Sequence, residues 1–174
     1  MFKDAYELIM FLDGARSQNA LFGVYKKENP ELFEQIEGFF KQGYAFDAER
    51  IAQNYFKGVY KEIGADLFTP FLSLALFDTA HKLGSLVALR MLKQVLNKFF
   101  DVKIRKKITA DNLAYYYYAL EKRYGLLFNV ATANALLLER INFDLKSDRG
   151  EDAIRAKKII AVLWGHYDGA VIGS

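Results

Sequence analysis

The chain of 174 residues has no cysteine, only two prolines and only two histidines. Without cysteine it has neither disulfides nor thiolate chemistry, a composition compatible with a reducing compartment. The histidines, His81 and His166, are far apart in the sequence and lack acidic residues at ligand spacing, so we expect no metal site. The scarcity of proline favours long helices over a fold of short strands and turns.

Several sequence signatures of known activities are also missing. The glycines are scattered and form no phosphate-binding loop, and no serine lies in a nucleophile elbow. We therefore expect no cofactor and no serine hydrolase activity. The net charge of +3 is compatible with an anionic polymer as partner but is too small for a dedicated nucleic-acid-binding surface. We expect no nucleic-acid partner.

No stretch of the sequence has the apolar character of a membrane span or a signal peptide. The most apolar region, residues 67–92, is interrupted by charged residues. Charged residues also interrupt the apolar core that a signal peptide would need near the N-terminus, and no small-residue cleavage site follows. The sequence therefore predicts synthesis in the cytoplasm without a signal peptide, and no membrane span.

The chain does contain many apolar and aromatic residues at helical spacing. Hydrophobic residues make up 52% of the sequence, which includes 15 Phe and 11 Tyr. The segment from Phe71 to about Lys82 is apolar nearly all round, which is typical of a helix at the centre of a domain. We predict an all-α fold with about eight helices and no substantial sheet, and an irregular Gly-rich tail over residues 165–174.

Three helix starts can be read directly from the sequence. Asn29 and Thr69 each precede a proline, which indicates a capping residue followed by proline at the first helical position. Thr109 precedes another helical segment and is the third predicted cap.

The first candidate for function lies in residues 2–26. Apolar residues at helical spacing continue to Leu12, and Asp13 followed by Gly14 predicts the end of the helix. A half-buried carboxyl group in this position has a raised pKa and can protonate a glycosidic oxygen, as in lysozyme-like enzymes. The simpler alternative, which the spacing alone favours, is that Asp13 is only the polar end of a helix.

Asp78 is the second candidate because it lies in the apolar sequence FDTA. An unpaired charge there would be costly, so we predict that backbone amides or a Lys or Arg bind the carboxylate. We favour a structural carboxylate over a catalytic one. The basic run from Lys103 to Lys107 indicates a solvated loop, with contact to phosphate or anionic glycan as the alternative. The tyrosine run 115–118 indicates amphipathic packing, although aromatic rings can also stack on sugars.

The sequence resembles the bacterial and phage N-acetylmuramidases of glycoside hydrolase family 108, also called secretion activator proteins. Three stretches carry the resemblance, with a fainter match over LLLERINFDL: FKDAYELIMFLDG, YKEIGADLFTPFLSLALFDTA and GSLVALRMLKQVLN. The resemblance implies a lysozyme-like, all-α fold that cleaves the glycan strand of peptidoglycan. It also implies two parts packed as one globular unit, a muramidase-related part over residues 1–82 and a peptidoglycan-binding-like part over residues 83–174.

The resemblance also implies the site residues, with departures from the family pattern. The family's catalytic Glu corresponds to Asp13, and Asn19, Tyr25 and Asp78 are the expected substrate-binding residues. Asp is one methylene shorter than Glu, about 1.5 Å of reach, and misplacement on this scale can cost ~10²-fold in rate. A family Thr corresponds to Ala20, so its hydroxyl is also lost.

Three functions therefore remain open. The first is a peptidoglycan muramidase with Asp13 as general acid, whose activity we expect to be weak or absent because the family's Asp-Pro- and Gly-rich loop is also replaced by the short segment 16–19. The second is an inactive relative that still binds glycan strands, and the third is a structural or partner-binding helical protein. An active enzyme without a signal peptide would reach the cell wall by a holin-type or other non-Sec route.

Overall fold

A computed structural model describes residues 2–13, 16–17 and 19–172, and the side chains of residues 13, 16, 17, 126 and 163–172 are outside this description. The predicted all-α fold is confirmed, because the described residues form eight α-helices, one 3₁₀ helix and three two-residue strands. The elements are α1 (Phe2–Asp13), β1 (Arg16–Ser17), β2 (Ala20–Leu21), β3 (Val24–Tyr25), α2 (Pro30–Lys41), α3 (Ala45–Glu62), the 3₁₀ helix (Ala65–Leu67), α4 (Pro70–Leu83), α5 (Ser85–Phe100), α6 (Ala110–Tyr124), α7 (Leu126–Lys146) and α8 (Gly150–Ile172).

By packing, the chain forms two compact units, Met1–Tyr60 and Lys61–Ser174. The boundary between the two compact units therefore falls after Tyr60, before α4. The resemblance instead implies a boundary between the two parts after residue 82. The assignment of those parts to a muramidase and a peptidoglycan-binding function remains a prediction. None of the helices, over the residues that the structure describes, combines the length and the apolar character needed to cross a membrane.

The first unit combines α1, a small sheet, α2 and α3. The three strands form an antiparallel sheet in the order β1-β2-β3. Phe22 and Gly23 form the two-residue turn between β2 and β3, and both have positive φ, 48° and 77°, as a tight hairpin turn requires. The core of this unit contains buried apolar side chains from all three helices, such as Ile9, Ile36 and Phe56.

The second unit is built around α4. Ten of the fourteen residues of this helix are buried, and it packs against α5, α7 and α8. The prediction of a buried central helix from Phe71 to Lys82 is therefore confirmed. The physical reason is that apolar side chains such as Leu72, Ala75 and Phe77 lie on different sides of the helix and can all leave water only when neighbouring helices surround it.

The predicted helix starts are correct, but two of the predicted caps are not. Helices α2 and α4 begin at Pro30 and Pro70 as expected, yet neither Asn29 nor Thr69 makes a side-chain capping hydrogen bond. Asn29 Nδ2 instead donates to the hydroxyl of Tyr55 at 3.0 Å. Only Thr109 caps its helix, where its Oγ1 accepts from the backbone N–H of Asn112 at 3.3 Å.

The prediction of an irregular tail is wrong over residues 165–172, because α8 continues through Ile172; residues 173 and 174 lie outside the described residues. No proline interrupts this segment. Each glycine costs a helix only about 1 kcal/mol relative to alanine, which is too little to end it.

We predict opposite effects on stability for two glycine substitutions. Gly64 has φ of +59°, and a Cβ there would lie 2.5 Å from the Cβ of Ala110. Gly64→Ala should therefore lower the free energy of unfolding by about 1–3 kcal/mol. Gly58→Ala is the matched control, since a Cβ at this site in α3 would meet no atom within 4 Å apart from its chain neighbours and the backbone of its own helix, and alanine should stabilise the helix by about 0.5–1 kcal/mol. Urea denaturation measures both, and equal effects would contradict the account.

Candidate functional site

Three of the predicted site residues lie in the first unit. Helix α1 ends at Asp13 as predicted, and the side chain of Asp13 lies outside the described residues. Asn19 is exposed just before β2, and its carbonyl oxygen accepts from the backbone N–H of Lys26 at 3.0 Å. Tyr25 is half-buried on β3. The structure thus brings Asn19 and Tyr25 to the same end of the β2–β3 hairpin, and their binding of substrate remains a prediction.

The resemblance to the muramidase family matches Ala20 to a threonine. Ala20 is buried and pairs directly with Tyr25 across the sheet. Directly paired residues of antiparallel strands have their side chains on the same face, so a methyl group stands beside Tyr25 where the family would have a hydroxyl. The sequence departure at Ala20 therefore lies next to a predicted substrate-binding residue.

Asp78, the fourth candidate, lies at the centre of a buried ion-pair cluster in the second unit. Its side chain is fully buried. Its Oδ2 accepts from Nη1 of Arg140 on α7, and its Oδ1 accepts from Nε of Arg155 on α8 at 2.8 Å. The second terminal nitrogen of Arg155, Nη2, lies 2.6 Å from the same Oδ1. The prediction that Asp78 has a polar partner such as arginine is confirmed.

The ion pairs continue from Asp78 along α7 and α8. Nε of Arg140 lies 3.3 Å from Oδ2 of Asp144, which is also fully buried. Oδ1 of Asp144 lies 3.9 Å from Nε of Arg149, and Arg149 donates to the backbone carbonyl of Lys82 at 3.2 Å. The cluster thus joins α4, α7 and α8 by side chains from all three helices.

Burial changes the acid–base properties of this cluster. It lowers the pKa of the Arg155 guanidinium to about 10 and also lowers the pKa of Arg140, while Asp144 partly opposes the effect on Arg140. It raises the pKa of the Asp144 carboxyl, and Arg140 opposes that rise. Each charge therefore depends on its partners, because little water is present to stabilise it.

The arrangement gives Asp78 a structural role. Both carboxylate oxygens are bound by arginine and none of the side chain reaches solvent. The prediction that Asp78 also binds substrate therefore receives no support from its geometry. Sequence reasoning missed the two arginines, although Arg140 lies in the apolar segment LLLERIN and could have been recognised by the argument used for Asp78.

No metal centre is evident at these residues. Over the part of the chain that the structure describes, no group of three or more His, Cys, Asp or Glu side chains could hold an ion. The Asp78 cluster can hold α4, α7 and α8 together through charge-assisted hydrogen bonds. Such bonds are about twice as strong as hydrogen bonds between neutral groups.

We predict that Asp78→Ala severely destabilises the protein. The substitution leaves Arg140 and Arg155 buried without their shared carboxylate, and removing one partner of a buried pair costs about 3–5 kcal/mol. Asp66→Ala is the control, since Asp66 is exposed and should change the free energy of unfolding by less than about 0.5 kcal/mol. Chemical denaturation followed by circular dichroism measures both values. Similar small losses for the two variants would show that the cluster contributes little.

Comparison with known proteins identifies no relative of this chain. No family model matches the chain, and neither a curated protein nor a solved structure matches it. The resemblance to family 108 muramidases therefore stands on the quoted sequence segments alone.

Proposed function

We propose that the chain is a peptidoglycan glycan-strand hydrolase of the N-acetylmuramidase type whose catalytic site is degenerate. One observation carries the proposal: α1 ends at Asp13, at the position where the family has its catalytic Glu. The end of a helix that precedes a small sheet is a suitable position for a general acid. The sheet contains polar and aromatic residues that can bind a sugar.

The expected chemistry is protonation of the glycosidic oxygen by Asp13. Cleavage would also need a second carboxylate, about 5–5.5 Å away in a retaining enzyme and about 6.5–9.5 Å away in an inverting one. Asn19 and Tyr25 would bind the sugar from the adjacent hairpin. Tyr25 offers both a ring face and a hydroxyl group, which suits a pyranose with its apolar face and polar rim.

Three changes act on the same site and support weak or absent activity. Asp13 is shorter than Glu, and Ala20 replaces a hydroxyl with a buried methyl group. Only two residues separate Ser17 at the end of β1 from Ala20 at the start of β2. This connection is too short for the loop that the family has there. Losses within one catalytic unit are grossly non-additive, so correcting one of them should not restore the whole.

A second candidate function is supported by exposed aromatic side chains in the first unit. Phe39, Tyr44 and Phe46 lie around the turn between α2 and α3 and are all exposed, Phe46 by 78%. Large exposed apolar patches on a protein surface mark sites of interaction with other molecules. This observation favours a non-catalytic, partner-binding protein as the alternative.

We expect weak or no cleavage of purified peptidoglycan in zymography, with glycan-strand binding retained in sedimentation with sacculi. Asp13→Glu should raise cleavage without giving full activity, and Asp13→Glu combined with Ala20→Thr should exceed it. Asp13→Ala should abolish any residual cleavage. Thermal melts are the control, because the two heavy atoms that threonine adds at the buried Ala20 can cost about 1–3 kcal/mol of stability.

Two results would contradict the proposal. Cleavage by the unmodified protein that Asp13→Ala leaves unchanged would show that Asp13 is not the acid. Failure of the unmodified protein and of both glutamate variants to cleave or bind sacculi would favour the partner-binding alternative.

A further inference from the structure

The net positive charge of the chain comes from one region, although most of the Lys and Arg residues lie elsewhere. Residues 98–124 contain seven Lys or Arg and three Asp or Glu, whereas the other residues contain 17 and 18. Four of the seven lie in the connector between α5 and α6, which we define as residues 101–109. These four side chains are all exposed: Lys103, Arg105, Lys106 and Lys107. The net charge of the protein thus arises in and around this connector.

The connector is attached to the fold although it has no helix or strand. The backbone N–H of Ile104 donates to Oδ1 of Asn97 on α5 at 3.0 Å, and the Ile104 side chain is buried. Nδ2 of Asn112 on α6 donates to the carbonyl oxygen of Lys107 at 3.0 Å. The backbone is therefore fixed at two points while its basic side chains remain in solvent.

An aromatic face of α6 lies beside the connector. Tyr115, Tyr118 and Lys122 are exposed and are spaced so that they share one face of the helix, with exposed fractions of 69% for Tyr115 and 50% for Tyr118. Nζ of Lys106 lies 5.6 Å from the centroid of the Tyr115 ring. This contact joins the basic connector to the aromatic face, and the two form one surface.

We propose that this surface, the connector with the exposed face of α6, docks peripherally on a bilayer that contains anionic phospholipid. Tyrosine is enriched at the membrane–water interface because its ring is apolar and its hydroxyl is polar. Clusters of four to eight Lys or Arg next to a membrane span or on an amphipathic helix are typical of binding to anionic headgroups; here four exposed basic residues lie in the connector, beside α6. The inference concerns the second unit and does not rest on the proposed hydrolase function.

The geometry favours a bilayer over single-stranded nucleic acid. Stacking of bases uses aromatic ring faces, and on Tyr115 the Nζ of Lys106 lies over one face while the ring makes an edge contact with Tyr116, with centroids 5.5 Å apart. Lipid headgroups are mobile and need no fixed spacing of cations. Two exposed acids oppose the basic side chains: Asp101 is the first residue of the connector, and Asp111 lies in the first turn of α6. Because the attraction is between exposed charges, binding should depend strongly on salt and on the fraction of anionic lipid.

Co-sedimentation of the full chain with vesicles tests this inference. The protein should bind vesicles of phosphatidylcholine mixed with phosphatidylglycerol, and it should not bind vesicles of phosphatidylcholine alone. Each basic residue near the surface contributes about fivefold in partition coefficient. We therefore expect a loss of more than about 100-fold when all four basic residues of the connector are replaced by Gln. Tyr115→Ser with Tyr118→Ser should weaken binding several-fold.

A matched variant controls for net charge. This variant leaves the connector unchanged and replaces four exposed lysines elsewhere by Gln: Lys57, Lys61, Lys157 and Lys158. Its binding to the anionic vesicles should stay within about twofold of that of the unmodified protein. Inorganic phosphate and sodium chloride are compared as competitors of vesicle binding at the same ionic strength. Phosphate should displace the protein from the vesicles no better than sodium chloride does. Equal loss in both four-residue variants, binding to phosphatidylcholine alone, or tighter binding to a single-stranded oligonucleotide than to the anionic vesicles would overturn the proposal.

Discussion

The buried ion pairs of Asp78 are the interaction on which the second unit depends. A carboxylate on α4 is shared by Arg140 of α7 and Arg155 of α8, and all three groups lie away from water. Apolar contacts alone would tolerate small shifts of these helices, whereas charge-assisted hydrogen bonds require particular distances and angles. The cluster thus fixes how α7 and α8 pack on the central helix.

This structural role changes where function should be sought. Asp78 lies in FDTA, part of a segment on which the proposed resemblance to the muramidase family rests, yet its carboxylate binds Arg140 and Arg155 in the core of the second unit. The remaining candidates, Asp13, Asn19 and Tyr25, all belong to the first unit, around the end of α1 and the small sheet. A degenerate glycan site there and a membrane-docking surface on α6 are independent proposals, because they involve different residues on different units.

The sequence predicted correctly the features that depend on neighbouring residues, such as helix starts and the burial of an apolar helix. Prolines at positions 30 and 70 mark helix starts because they lack an N–H that the first turn does not need, and the apolar character of α4 predicted its burial. Distant partners could not be predicted. Thr69 bonds to Tyr117, 48 residues away, instead of capping α4.

The limits at the candidate site have the same origin. Sequence showed that Asp78 needs a partner, but Arg140 and Arg155 are 62 and 77 residues away. The strands contain only two residues each, too few for an alternating pattern to identify them. Only the tertiary structure shows that Ala20 is paired with Tyr25.

A double-mutant cycle on Asp78 and Arg155 measures how strongly these two side chains hold α8 on α4. Asp78→Asn, Arg155→Met and the combined variant would be unfolded with urea, and the coupling free energy would be taken from the three differences. If the two side chains hold α8 on α4 as the structure indicates, the coupling should be about 1–3 kcal/mol. Coupling below about 0.5 kcal/mol, with additive losses, would contradict the account.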